Sequence, residues 1–223
     1  MSAPILGDPG YITIRSATPR DPVKWEQGAV RDAVKLASTA TDRFGGVDSK
    51  EIRGGTLLAK IAATGKYTSF FGADVASAVA IGSIIIYVGT TYIGRFAVGD
   101  NVKTSANTPL AILLNSEQDL GAILSVYPTS GTFAYTTGAV SAIAVGHSVW
   151  VEPATADGSG DPVAVLVENA LLRNRAGSAI EPKPAILRSG YVRTSMLLGL
   201  CGRAKLVVAG HGVAQPLGVI VCD

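Results

Sequence analysis

Residues 50–67, KEIRGGTLLAKIAATGKY, decide how the rest of the chain is read. A glycine pair, Gly54 and Gly55, opens the apolar run Thr56 to Ala63, and Thr64-Gly65-Lys66 closes it ahead of Tyr67. Glycine supplies the positive φ angles that tight turns demand, and a short apolar run bounded by such turns predicts a strand. The stretch holds no nucleophile beside a base and no metal ligand, so its information is structural.

Composition sets that strand in a β-rich protein. Of 223 residues, 48% are hydrophobic, only 16% are charged and 26 are glycine, whereas a helical bundle would carry more Glu, Lys and Arg. The length allows one large domain or two small ones with a real core. A formal net charge of +2 is too small to select nucleic acid or an anionic membrane as partner. Sparse charge leaves neutral surfaces, which suit protein–protein contact.

Cys201 and Cys222 alone make no disulfide scaffold, so synthesis in a reducing cytoplasm is expected, with a single pairing of the two left open. The start, MSAPILGDPGY, lacks the basic and apolar regions of a signal peptide. Asp74 to Arg95 encloses an uncharged segment of about 20 residues, long enough to cross a bilayer. Its Gly82, Gly89 and Gly94, and its Ile84-Ile85-Ile86 cluster, favour buried strands joined by turns, and no membrane partner is expected.

On the amino-terminal side, residues 1–29 carry Pro4, Pro9, Pro19 and Pro22 and little periodicity, which predicts an extended arm. Such an arm is either a loose terminus or a segment that orders on a neighbour by strand addition. Tyr11, Ile12, Ile14 and Trp25 favour the second reading. A strand is expected from Val30 to Ala37.

On the carboxyl side, residues 72–155 have a character of their own. Val79 to Val88 and Thr90 to Phe96 read as strands, and Ala122 to Tyr127 and Thr132 to Thr136 as a ribbon turning at Pro128-Thr129-Ser130-Gly131. Val98-Gly99-Asp100-Asn101-Val102 and Val145-Gly146-His147-Ser148-Val149 share the pattern V-G-x-x-V, a glycine turn leading into a strand. Short strands at this spacing predict a small barrel or sandwich. Asp157-Gly-Ser-Gly-Asp161 marks a boundary. Beyond it, strands are expected at Val163–Val167, Ala185–Val192, Lys205–Ala209 and Leu217–Val221, with a helix starting at Thr194-Ser195 and running through Met196-Leu197-Leu198.

The chemistry-bearing residues form no known constellation. His147 and His211 each sit beside glycine with no acid or nucleophile at catalytic spacing, and Gly146-His147-Ser148-Val149-Trp150 lacks the second glycine of a nucleophile elbow. Gly65-Lys66 lacks the upstream glycine of a phosphate loop. Two cysteines and two histidines at scattered positions give no zinc pattern, and the Asp157 to Asp161 spacing is not that of a calcium loop. Arg173, Arg175, Arg188, Arg193 and Arg203 are expected at solvated strand ends. No catalytic, cofactor-binding or metal-binding residue is assigned, no cofactor is expected, and the chain is not expected to be an enzyme.

Read with its flanks, the opening stretch resembles the head decoration proteins of tailed bacteriophages, the lambda type. Val30-Arg31-Asp32-Ala33-Val34-Lys35-Leu36-Ala37, then Ile52-Arg53-Gly54-Gly55-Thr56-Leu57-Leu58-Ala59-Lys60-Ile61, then Thr64-Gly65-Lys66-Tyr67 are similar to that family's G-T-x-L-x-K-I strand and T-G-K-Y turn. Pro162-Val163-Ala164-Val165-Leu166-Val167-Glu168 resembles its P-V-A-x-L-x-E strand. Ala185-Ile186-Leu187-Arg188-Ser189-Gly190 with Met196-Leu197-Leu198-Gly199 is similar to its third element. The resemblance covers residues 30–70 and 161–200. The departure is residues 72–155, where the family carries a short loop.

The resemblance implies a mainly β, decoration-like core with short helices, split into 30–71 and 156–223. A small β-barrel or sandwich, 72–155, is inserted in it, and an extended arm, 1–29, precedes it. It also implies a homotrimeric cement protein on the outer surface of the virion that clamps neighbouring major capsid subunits, with Tyr11, Ile12, Ile14 and Trp25 of the arm in contact with the capsid. A rival reading is an adhesion module whose insert binds host-surface glycans. It needs exposed aromatics, for which Tyr87, Tyr92, Phe96, Tyr127, Phe133, Tyr135 and Trp150 are candidates; the alternative is that they fill the insert's core.

Overall fold

Strand β3 (Leu57–Lys60), from the opening stretch, is apolar on both faces because both are covered. Leu57 and Ala59 face one core with Val165 and Leu187, while Leu58 faces another with Ala164, Leu166 and Ile186. A strand buried on two sides reads as a continuous apolar run rather than an alternating one, which is why TLLA and PVAVL look as they do. The computed structural model describes residues 22–44, 51–108, 111, 116–152, 161–174, 176–208 and 218–222. The protein is mainly β, with 41% strand against 8% helix.

The first sheet contains β1 (Val23–Ala33), β3, β4 (Tyr67–Ser69), β11 (Pro162–Leu166), β13 (Ala185–Arg193) and β14 (Gly218–Cys222). Its order is β1-β13-β11-β3-β4, with β14 on the second half of β13. β3 pairs antiparallel with β11, Leu57 opposite Val165 and Leu58 opposite Ala164. β14 runs parallel to β13, and helix α1 (Gly202–Val208) lies in the crossover that a parallel pair requires. A two-stranded ribbon, β2 (Glu51–Ile52) with β12 (Ala170–Leu171), flanks the second core.

The second sheet takes all its strands from residues 72–151. They are β5 (Gly72–Asp74), β6 (Ile85–Tyr87), β7 (Asn101–Ser105), β8 (Gln118–Tyr127), β9 (Thr132–Tyr135) and β10 (Ser148–Val151), in the order β5-β10-β7-β8-β9-β6. It curls into a half-barrel around Val79, Ile86, Phe96, Val102, Leu120, Phe133, Tyr135 and Val149. The curl brings its ends together: just past β5, the Ala76 N–H donates to the Tyr87 carbonyl at the end of β6, 2.8 Å away.

Strand β10 is the wall between the two units. Side chains alternate across a strand, and here Val149 faces the half-barrel core while Trp150 joins Leu57, Phe70, Val165 and Leu187 in the first core. β5 does the same: Ala73 faces the half-barrel, and a Cβ on Gly72 would stand 2.8 Å from the Phe70 ring and 3.0 Å from Cys201 Sγ. That contact leaves room for glycine alone.

Several expectations are corrected. Residues 23–29, read as part of the arm, belong to β1, with Val23 opposite Val192 and Trp25 opposite Tyr191. The run Val79 to Val88 supplies only the three-residue strand β6, with Val79 bridging Ile143. Thr90 to Phe96 forms turns and a 3-10 segment, Ile93–Arg95, because Gly89 takes φ +87° and accepts from both Tyr92 and Ile93 N–H. The helix expected through Met196–Leu198 is a single 3-10 turn, Thr194–Met196. The helix lies later, where a strand was expected from Lys205: Asp74, more than a hundred residues away, accepts the Gly202 N–H at 2.8 Å. An N-terminal acceptor supplied from another element leaves no local signature.

Candidate functional site

Two features of the described residues have the makings of a site: a buried polar seam between the units, and an outer face on the half-barrel with long uncharged stretches.

Arg203 anchors the seam. It is fully buried, and its guanidinium takes the Asp161 carboxylate bidentately, Nε to Oδ1 at 2.6 Å and Nη2 to Oδ2 at 3.1 Å. Nη1 donates to Ser105 Oγ at 2.9 Å, and Nη2 also donates to Glu117. The guanidinium plane covers the Trp150 ring, 4.2 Å from its centroid. The planar fork of arginine matches this combination of two carboxylates, a hydroxyl and an aromatic face, which a lysine ammonium would not. Arg203 and Asp161 belong to the first unit, whereas Ser105, Glu117 and Trp150 belong to the half-barrel.

Around it the network continues. Ser148 Oγ accepts from the Arg203 backbone N–H at 3.0 Å and donates to Asp74 Oδ1 at 2.8 Å. Lys103 Nζ lies 2.9 Å from Glu152 and 3.5 Å from Glu117. Burial opposes the Lys103 charge, yet the hydrogen bond to Glu152 and the charges of Glu152 and Glu117 outweigh it and hold its pKa above the ordinary lysine value. Burial pushes the Cys201 thiol up, which keeps it from the thiolate form that reacts.

A second set of contacts crosses the seam nearby. Arg43 pairs bidentately with Asp100 of the V-G-D turn, Nη2 to Oδ1 at 3.0 Å, and stacks over Phe71 at 4.8 Å. Asp100 Oδ2 also accepts the Ala97 N–H at 2.8 Å, which fixes the turn itself. Arg95 donates to the Gly72 carbonyl and lies over Tyr92 and Phe44, at 4.5 and 5.3 Å. Burial lowers its pKa from the ordinary arginine value. Two arginine anchors, each fixed at several points, tie the half-barrel to the first unit.

The outer face is different in kind. Among the described residues, every exposed large apolar side chain except Leu171 lies between Ile81 and Val145. No Asp, Glu, Lys or Arg occurs in residues 75–94 or 120–151. Exposed apolar groups concentrated in two uncharged stretches mark a contact surface.

The structure distributes the sequence-predicted residues unevenly. Tyr11, Ile12 and Ile14 lie outside the described residues, and Trp25 stands in β1. Of the seven aromatics, Phe96, Phe133, Tyr135 and Trp150 are buried, while Tyr87, Tyr92 and Tyr127 are exposed. Arg203, expected at a solvated strand end, is instead the most enclosed charge of the seam, and Asp161, at the end of the expected boundary, is its partner. The apolar setting of Arg203, LCGRAKLVV, holds a second cation, Lys205, which is exposed, so the sequence does not say which of the two turns inward. His147 is partly buried, which lowers its pKa, and its carbonyl accepts from Val75 N–H in the turn before β10. No group of three or more His, Cys, Asp or Glu among the described residues is placed to hold a metal, and no described helix is long and apolar enough to cross a membrane. No protein-family model, curated protein or solved structure matches the chain.

Proposed function

We propose that this chain is a structural virion protein: a homotrimeric cement protein that binds the outer surface of a phage head and ties neighbouring major capsid subunits together. The observation that carries the reading is the direct pairing of β3 with β11. The two stretches with the strongest family likeness, about a hundred residues apart in sequence, are hydrogen-bonded neighbours, and the third, β13, pairs with β11 on the other side. The three stretches that carry the likeness thus lie side by side in one sheet.

The physics of cementing agrees with the rest. Stabilising a head needs many copies of a modest contact, each held by a stiff body so that strain passes between subunits instead of being absorbed. The Arg203 and Arg43 anchors tie the two units into the one body that this needs. Tyr11, Ile12 and Ile14 of the amino-terminal segment are assigned to the capsid contact, by strand addition, with Trp25 of β1 at the root of that segment.

An electron-microscopy reconstruction of virions carrying this protein tests the reading. Density for the chain at the three-fold positions is the expected result, and heads without such density overturn it. Removal of residues 1–21 spares β1 and Pro22, whose carbonyl accepts the Arg193 N–H at 2.9 Å. The shortened protein should fold but no longer decorate heads; full decoration by it would sink the assignment of the arm.

A further inference from the structure

The half-barrel presents one face whose composition is specific. On β6, β9 and β8, Ile86, Phe133 and Val126 point into the core, so the residues between them point out. The pairing register sets Tyr87 opposite Thr132 and Thr132 opposite Tyr127, a single row across three strands. Directly paired residues project to the same side. Tyr87 and Tyr127 are 38% and 48% exposed and stand two strand spacings apart, about 10 Å. Between them Thr132 Oγ1 shares a 2.7 Å hydrogen bond with Ser130 Oγ, and the next row carries Ile85, Ala134 and Ser125.

We infer that this row is a binding site for a neutral glycan, with Tyr87 and Tyr127 as stacking platforms and the Thr132 and Ser130 hydroxyls between them. A pyranose ring offers an apolar C–H face and a rim of hydroxyls. A tyrosine ring covers the first, while its phenol and the threonine and serine hydroxyls satisfy the second. Two rings at this separation take two sugar units along one chain.

The charge pattern chooses among occupants. No Lys or Arg occurs in residues 75–94 or 120–151, which carry β6, β9 and most of β8, so the row offers neither a nucleic acid nor an acidic saccharide a counter-charge. A peptide joining by strand addition finds the β6 edge taken, because the Tyr87 carbonyl already accepts from Ala76 N–H. A neutral ligand carrying hydroxyls and small apolar faces is what the row complements. This inference does not rest on the capsid reading and survives or fails without it.

The test uses the full chain on an array of neutral oligosaccharides, followed by titration of the best binder. Tyr87→Ala and Tyr127→Ala should each weaken binding roughly tenfold, the double variant should abolish it, and Thr132→Val should weaken it several-fold. Unchanged thermal unfolding of the variants would show that the site alone is lost. Three results overturn the inference: no neutral glycan retained by the wild-type chain, binding that survives in the double variant, or sedimentation showing self-association that the double variant abolishes. The last would make the face a contact between copies.

Discussion

Arg203, on the helix near the end of the chain, covers the indole of Trp150, on the last strand of the half-barrel, with its guanidinium carbon 4.2 Å from the ring centroid. Each residue reaches into the other unit: Trp150 fills the first core from the second sheet, and Arg203 reaches Ser105 and Glu117 of the half-barrel from α1. The two side chains lock the units at one point.

Arg203→Ala should therefore be among the most damaging single changes. It leaves Asp161 without its partner and Glu117 with only Lys103 at 3.5 Å, and opens a void beside Trp150. Breaking a buried ion pair from one side costs about 3–5 kcal/mol, and urea unfolding should register a loss of that order. Arg203→Lys keeps the charge but loses the bidentate geometry, so it should fall between wild type and alanine.

The Arg43–Asp100 pair should behave asymmetrically. Both side chains are partly exposed, so Arg43→Ala should cost about 1 kcal/mol or less. Asp100→Ala also removes the acceptor of the Ala97 N–H and should cost more. A double-mutant cycle read by thermal unfolding checks this; equal effects of the two single changes would show that the turn bond contributes nothing.

Gly55 and Gly65 both have positive φ, at +85° and +67°, but their surroundings differ. A Cβ on Gly55 would lie 2.0 Å from the Met196 carbonyl oxygen, whereas one on Gly65 meets nothing within 4 Å. Gly65→Ala should cost only the left-handed backbone penalty, about 1–2 kcal/mol. Gly55→Ala must also displace backbone that is paired through Leu57 and Leu198, and should cost clearly more. Equal unfolding midpoints for the two variants would contradict this.

Lys103 gives the seam an alkaline limit. Its folded pKa is raised above the ordinary value of 10.5, so its contribution to stability is fully present below that value and lost as pH rises through the folded one. Burial likewise raises Tyr135, which adds a loss in the same direction above its ordinary value of 10.0. Thermal unfolding followed upward from pH 9.5 should show stability falling, and falling less steeply in Lys103→Met. Parallel curves for the two proteins would remove Lys103 from the seam's ionic balance.

What the chain order alone determined was the set of strands whose boundaries are written locally. The Gly54-Gly55 turn, the Thr64-Gly65-Lys66 turn, the ribbon at 122–136 and the V-G-x-x-V turns all depend on neighbours a few residues away, and each lies where the sequence places it. The mainly β class followed from these and from sparse charge. Tertiary structure decided the rest. Whether Thr90–Phe96 extends or coils, whether Lys205 lies in a strand or a helix, and whether Arg203 points to water or inward each depend on partners remote in sequence: Asp74 for the helix start, Asp161 and Glu117 for the guanidinium. The same holds for the aromatics. Pairing register, not local composition, put Phe133 and Tyr135 inside while leaving Tyr87 and Tyr127 in one outward row, because a strand's two faces are assigned only when its neighbours fix which side is buried.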